Sequence, residues 1–351
     1  MSSAARPPIR LPSWMAQRAR DVLEGRKPPV EPRDAATVML LRPRPGDAGP
    51  DAGELPDAVA LPAAGGLPEA DAPGPPAPGG VPEAPGPPEV GGARDASGPA
   101  EAGEVPGAPG PPDALGLQVY MLRRQSSMAF APGAFVFPGG SVDTRDAEIE
   151  VGWAGPDAQE WGRMIDAPAD LARALVCAAV RETFEECGVL LAGPTAGTVV
   201  ADTRGEDWEA DRAALLARSV SLAGLLRRRG LVLRSDLLRP WARWITPVTE
   251  ERRYDTRFFA AALPDGQRAR DVSEEADDAA WAEPGEALAA ARRKEIFLLP
   301  PTAVTLGELA ACGHPAAALA ARRRITALIP EVYLADGAVW LTVPPGLDYP
   351  L

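Results

Sequence analysis

In the stretch AAVRETFEECGVLL, residues 178–191, one arginine and three glutamates fall within six positions. Glu182, Glu185 and Glu186 stand at i, i+3 and i+4, which on an α-helix is a single face. Side chains at that spacing lie roughly 5–6 Å apart at Cβ, so three carboxylates repel one another by a few tenths of a kcal/mol per pair. Arg181 relieves part of that repulsion. A divalent cation reverses its sign, because carboxylate oxygens are the preferred ligands of Mg2+ and Mn2+. The competing reading is a solvated acidic face near a helix end. The surroundings of the helix decide between the two.

The helix carrying these residues is expected over 168–188, started near Asp166 and stopped at Gly188, a residue suited to the left-handed turn beyond a helix end. Upstream, ATVMLLRP (36–43) and LQVYMLRR (117–124) are short β-type runs. They are expected to be the two arms of one hairpin, since loop closure grows only logarithmically with loop length. GAFVFPGGSVD (133–143) reads as a strand followed by a Pro-Gly-Gly turn. Farther on, 206–229 reads as helix ending at Gly230, and ARWITPVT and TRFFAAAL read as strands. AAWAEP leads into a short helix from 284, and 302–325 reads as one or two helices broken at GHP. GAVWLTVP is a late strand. Strands, a helix, more strands and then helices indicate a mixed α/β sandwich rather than a doubly wound sheet. Trp241 and Trp244 read as core, Cys187 as a small packed residue, and Arg173 as helix surface.

The chain has 351 residues, 46% of them hydrophobic, enough for one large domain or two small ones. No apolar run reaches the ~18 residues of a membrane span, and the first residues lack the apolar core of a secretory signal. Cys177, Cys187 and Cys312 are odd in number, well separated and without a C-x-x-C pair. That argues against a disulfide framework or a zinc site and suits a reducing cytoplasm. His314 cannot build a His-rich site alone and reads as a turn residue. The net charge of −13 is concentrated: residues 44–113 hold twelve acids against Arg44 and Arg94, so the rest of the chain is near −3. That segment is rich in Pro, Gly and Ala and has no aromatic residue. It has too little apolar surface to offset chain entropy and is expected to be disordered. No basic patch with interleaved aromatics appears, so DNA is not an expected partner.

FPGG (137–140) followed by RETFEECGV (181–189) resembles the core of the Nudix box. Arg181, Glu182, Glu185, Glu186, Gly188 and Val189 match that pattern, and Thr183 stands where a bulky aliphatic residue is usual. The box ordinarily has a glycine fourteen residues before the arginine and a glutamate eight before it; here those places hold Ala167 and Arg173. With the glycine pair at 139–140, the box reads as split by an insertion of roughly 144–167. A split there resembles the coenzyme A diphosphatase-like branch. So do RSDLLRPWARWITPVTEERRYDTRFFAAALP (234–264) and EIFLLPPTAVTLGEL (295–309).

The resemblance implies an α/β (α+β) fold, a Nudix-type α/β/α sandwich with a mixed sheet and extra helices. It implies a hydrolase that cleaves the diphosphate of a nucleoside diphosphate derivative, with coenzyme A or acyl-CoA leading. ADP-ribose, NADH, nucleotide sugars and capped RNA are other substrates of the superfamily, and a non-catalytic ligand sensor is a third reading. By the same resemblance, Glu182, Glu185 and Glu186 hold Mg2+ or Mn2+. An acid from a later loop joins them: Glu275, with Glu274 in reserve. Glu182 and Glu185 serve catalysis together with Arg181, which fixes a glutamate rotamer. Gly139 and Gly140 let the backbone approach the site, and Arg253 and Tyr254 contact substrate. The partner is a small nucleotide-type molecule, with neither DNA nor membrane. Family members are often homodimers, and the oligomeric state stays open. The implied domain runs over 33–43 and 117–330, between an N-terminal segment (1–32) and a C-terminal strand and tail (331–351), with 44–116 as an insertion.

Overall fold

The computed structural model describes residues 9–11, 13–45, 116–128, 131–148, 150–272, 276–344, 347 and 349–351. The insertion expected at 44–116 therefore lies almost wholly outside the described residues. From the N-terminus come β1 (Ile9–Arg10), α1 (Ser13–Leu23), β2 (Arg33–Pro43), β3 (Leu117–Arg124), β4 (Ala134–Val136) and β5 (Gly139–Ser141). A 3-10 turn (Thr144–Ala147), β6 (Gly152–Ala154) and α2 (Ala158–Ile165) lead into α3 (Ala169–Cys187). Then follow β7 (Ala192–Gly193), α4 (Glu206–Leu216), α5 (Leu222–Arg229), β8 (Val232–Arg234), β9 (Arg239–Ile245) and β10 (Tyr254–Ala262). The chain closes with β11 (Ala276–Ala282), α6 (Pro284–Arg292), β12 (Phe297–Leu298), α7 (Pro300–Cys312), α8 (Pro315–Ala320), β13 (Ala327–Leu328), β14 (Glu331–Ala335) and β15 (Ala338–Thr342).

The main sheet runs β12-β4-β3-β2-β10-β9-β13, with β11 on β3 and β5 on β2. It is mixed: β2 pairs parallel with β10 from Arg33↔Tyr254 to Leu41↔Ala262, and antiparallel with β3 at Leu41↔Val119 and Pro43↔Leu117. β2 and β3 are thus the arms of one hairpin. Alternation along the strands builds a core on each face. Val38 and Leu40 of β2, Leu122 of β3 and Phe259 of β10 pack with α2, α3 and α5. Met39, Leu41, Met121 and Phe258 face the other way, among residues of α6 and α7. Helices on both faces of a mixed sheet make the expected α/β/α sandwich. Trp241 and Trp244 are core residues, as read.

Several local readings change. Residues 206–229 form two helices, α4 and α5, because the chain turns at Ala217–Ser221 with Arg218 left-handed. α3 starts at Ala169 rather than near Asp166; Asp166 instead ends α2 in a left-handed conformation. Gly139 and Gly140 are not a turn but the strand β5, paired with Thr37 and Ala36. The 144–167 insertion is built into the fold. Ile165 O and Asp166 O accept hydrogen bonds from the buried Arg257 (3.3 and 3.1 Å), which fastens the end of α2 to β10. Arg173 stacks its guanidinium on Trp153 of β6 at 5.0 Å. The N- and C-terminal segments, read as separate, meet: β1, β15 and β14 form one small antiparallel sheet, which packs against α1. Asp336 and Gly337 turn β14 into β15, both with positive φ, the pattern of a tight hairpin. Among the described residues no helix is long and apolar enough to cross a membrane.

Candidate active site

α3 carries the glutamates, and its sequence explains its position. Small residues, Ala172, Ala178 and Ala179, are fully buried in the core shared with β2 and β10, so the helix lies close on the sheet. Thr183, at the usually aliphatic position, is also fully buried; its hydroxyl donates to Ala179 O at 2.7 Å. A back-bond of this kind lets threonine fill a valine-sized space. Cys187 donates its thiol to Thr183 O, and burial pushes that thiol above its ordinary range, as fits packing and not nucleophilic attack. Gly188 ends the helix at φ 69°.

Arg181 is the hub. Its Nε and Nη2 donate to Asp146 Oδ1 and Oδ2, each at 2.9 Å, and Nη2 also donates to Ser141 O at 2.9 Å. Its Nη1 donates to Glu182 Oε1 and Glu185 Oε2, each at 2.8 Å. All five N–H groups of the guanidinium are thus engaged. Glu186 Oε2 accepts from Gly139 N–H at 2.7 Å. Gly140 faces Glu182 so closely that a Cβ would lie 2.6 Å from Glu182 Cδ. A Cβ on Gly139 would instead press on the Thr37 backbone, 2.7 Å from its Cα. Both glycines are therefore needed for close approach, one to a carboxylate and one to β2.

Asp146 is the residue that sequence reasoning missed. It is 2% exposed and lies in the 3-10 turn after β5, thirty-five positions from Arg181. A signal for it existed. The box separates its glycine from its glutamate by six positions, and six positions beyond Gly140 stands Asp146. Counting back from Arg181 met Arg173; counting forward from the glycine finds the acid. The insertion falls after Asp146, between it and α3.

Three carboxylates share one guanidinium, so the buried cluster is left with excess negative charge. Burial, opposed by Arg181 and reinforced by Glu185, pushes Glu182 up to about 7. Burial likewise raises Glu185. These oxygens suit a hard divalent cation, which would offset that excess. Among the described residues, however, no three acidic, histidine or cysteine side chains are gathered around one point, because Glu182 and Glu185 turn to Arg181 and Glu186 to Gly139.

The cluster opens into a cleft of about 1600 Å³ that Glu182, Glu185, Glu186, Gly139, Gly140 and Tyr254 all line. Arg253 does not line it. Its guanidinium donates to Thr246 O (3.0 Å) and Val30 O (2.6 Å) and is buried, so it is engaged away from the cleft. Its neighbour Arg252 is exposed and lines the cleft. Glu274 and Glu275 lie outside the described residues. His314 caps α8, its Nδ1 accepting from Ala316 N–H at 3.0 Å.

A mixed sheet between helix layers, with the glutamate helix against a glycine strand, is the fold that the resemblance to the Nudix box implied. Residues 155–309, under half of the chain, match the NUDT19 Nudix domain. The matched range begins after Gly140 and Asp146. The acyl-coenzyme A diphosphatase NUDT19 of Xenopus laevis is 26% identical over 231 residues, covering 55% of this chain and 59% of that protein. The Gallus gallus protein of the same name is 27% identical over 226 residues (52% and 58%). The putative nudix hydrolase 7 of Caenorhabditis elegans is 28% identical over 197 residues (55% of each). The chain thus spans under two thirds of the length of these curated relatives. A NUDIX hydrolase crystal structure from Alicyclobacillus acidocaldarius shows the same fold, with a TM-score of 0.54 and 23% identity, covering 84% of this chain and 98% of that one.

Proposed function

We propose that this protein hydrolyses the diphosphate of a nucleoside diphosphate derivative, with coenzyme A or an acyl-CoA as substrate and 3′,5′-ADP and a phosphopantetheine derivative as products. The observation that carries the reading is the Arg181 hub, three carboxylates, two of them buried, on one guanidinium at the wall of a large cleft. The named activity of the Xenopus and Gallus relatives supports the choice of substrate.

Glu182, Glu185 and Glu186 would hold Mg2+ or Mn2+, with Glu275 as a further ligand. Bound there, the cation supplies charge neutralisation for a polyanionic substrate. The chain's own residues do the rest. Arg181 fixes the rotamers of Glu182 and Glu185, and Asp146 fixes Arg181. Glu182, or Glu185 beside it, accepts the proton of the attacking water. The water oxygen bonds to phosphorus as the bridging P–O bond breaks, and the leaving phosphate takes the electron pair. Gly139 and Gly140 let β5 lie close on β2 and on the Glu182 carboxylate at the cleft wall, and Tyr254 contacts the substrate from the same wall. The free cysteines suit a reducing compartment such as the cytoplasm.

The test is a hydrolysis screen with Mg2+ and with Mn2+ over CoA, acyl-CoAs, ADP-ribose, NADH and nucleotide sugars, with products identified by mass. Release of 3′,5′-ADP from CoA substrates alone is expected; cleavage of another substrate class would keep the chemistry and discard CoA. The second reading is a non-catalytic ligand sensor of the same fold. Changing Glu185 and Glu186 together to Gln separates the two. We expect hydrolysis to be abolished; a protein that binds nucleotide unchanged and hydrolyses nothing even before the change is a sensor.

A further inference from the structure

α4 ends on a left-handed residue that is not glycine. Ala217 closes the helix and Arg218 follows at φ 56°. Arg218 N–H returns to Leu215 O (2.8 Å) and Ser219 N–H to Ala214 O (3.0 Å). This pair of bonds is the helix-ending motif that favours glycine in its left-handed position. α3 and α5 follow that preference with Gly188 and Gly230. A side chain there crowds the following carbonyl, and such strain asks what in the surroundings maintains it.

Strain alone marks nothing, since Lys294 has φ 62° on the exposed surface after α6. Arg218 differs in its setting, because it lines the same cleft as Glu182, Glu185 and Glu186. Its backbone is clamped: Arg145 Nη1 donates to Arg218 O (2.7 Å) and to Val220 O (3.3 Å). Asp143 in turn holds Arg145 by Nε (2.9 Å) and Nη2 (3.0 Å). The Arg218 side chain, by contrast, is 78% exposed, and its nearest carboxylate, Asp143, is 3.9 Å away and already engaged by Arg145. A rigid backbone thus presents a loosely held guanidinium at the rim of an acid-lined cleft. A guanidinium matches phosphate geometry with two parallel hydrogen bonds.

We propose that Arg218 is a phosphate-binding residue of this cleft, and that the strained end of α4 is kept because it aims the guanidinium at a phosphoryl group of the substrate. The class of ligand rests on the diphosphatase reading above; the placement of Arg218 does not.

The experiment uses Arg218→Gly, Arg218→Gln and Arg218→Lys in the full chain. Glycine suits the left-handed position, so Arg218→Gly is expected to melt no lower than wild type. Calorimetry with methylenediphosphonate, with and without Mg2+, reads binding without turnover. We expect affinity to fall about tenfold or more in the Gly and Gln variants and to recover in part in the Lys variant. KM for whichever substrate the wild type cleaves should rise by a similar factor. Unchanged affinity in both Gly and Gln variants overturns the proposal, as does a wild type that binds no methylenediphosphonate. If binding depends on Arg218 but no substrate is hydrolysed, the phosphate site stands and the diphosphatase reading falls.

Discussion

Asp146 and Arg181 form a two-point ion pair whose members are 2% and 7% exposed. Without Asp146, Glu182 and Glu185 still balance the Arg181 charge, but its Nε and one Nη2 N–H are left buried without their acceptor, at a cost of roughly 1–3 kcal/mol. Asp146→Ala is therefore expected to lower stability by about that amount in urea unfolding. Hydrolysis should be lost even where the variant remains folded, because Arg181 no longer holds Glu182 and Glu185 in place. Asp146→Glu, which keeps the charge, should lose less of both. A variant as stable and active as wild type would show that the hub does not depend on the acid from the split half of the box.

At the scale of elements, the strand-to-turn segment Gly139–Ala147 does several tasks within a few residues. β5 pairs with β2, Asp143 caps the 3-10 turn, the turn presents Asp146, and Arg145 clamps the α4–α5 loop. The hydrogen bond from Arg145 holds the Asp143 carboxyl well below its ordinary 3.8, with burial opposing it in part. The folded protein thus binds this proton less readily than the unfolded chain. The resulting stability is complete above about pH 4 and is lost as pH falls toward the folded value. Asp143→Asn is expected to melt lower than wild type at pH 7, with the difference shrinking below about pH 4. A pH-independent difference would rule out the ion pair as its source. The helix carrying the glutamates was legible in the sequence because its pattern, stop glycine and box residues agree. The break between α4 and α5 was not, since Arg218 sits where local preference asks for glycine. β5 was also hidden, for Pro-Gly-Gly carries turn chemistry, and only close packing on Thr37 and Glu182 makes a strand of it.

For the whole molecule, the hairpin joining β2 to β3 was legible from two matching apolar runs. The small sheet of β1, β14 and β15 was not, because it unites segments from opposite ends of the chain that carry no mutual signal. The partners of Arg253 were hidden for a similar reason: an arginine beside a tyrosine at a strand start looks like a ligand contact, and only tertiary structure shows the two carbonyls it bonds. Arg44 N–H donates to Gly116 O at 2.8 Å, so the two arms are still in hydrogen-bond register where the insertion leaves them. Replacing residues 46–115 by a short Gly-Asn-type turn is expected to preserve fold and hydrolysis, since a shorter loop costs less to close. Loss of the cooperative melt in that variant would show that the segment takes part in the core.

β2 is the strand by which the first forty-five residues enter the centre of the sheet, between β3 and β10. A protease cut anywhere between 46 and 115 would therefore sever the chain without dismantling the molecule. The shorter piece would remain as a peptide ligand of the longer, held by nine paired positions on β10 and by side chains in both cores. Covalent continuity through the insertion and integrity of the glutamate site would then be separate properties, and a nicked sample that runs as two bands is expected to contain a whole cleft.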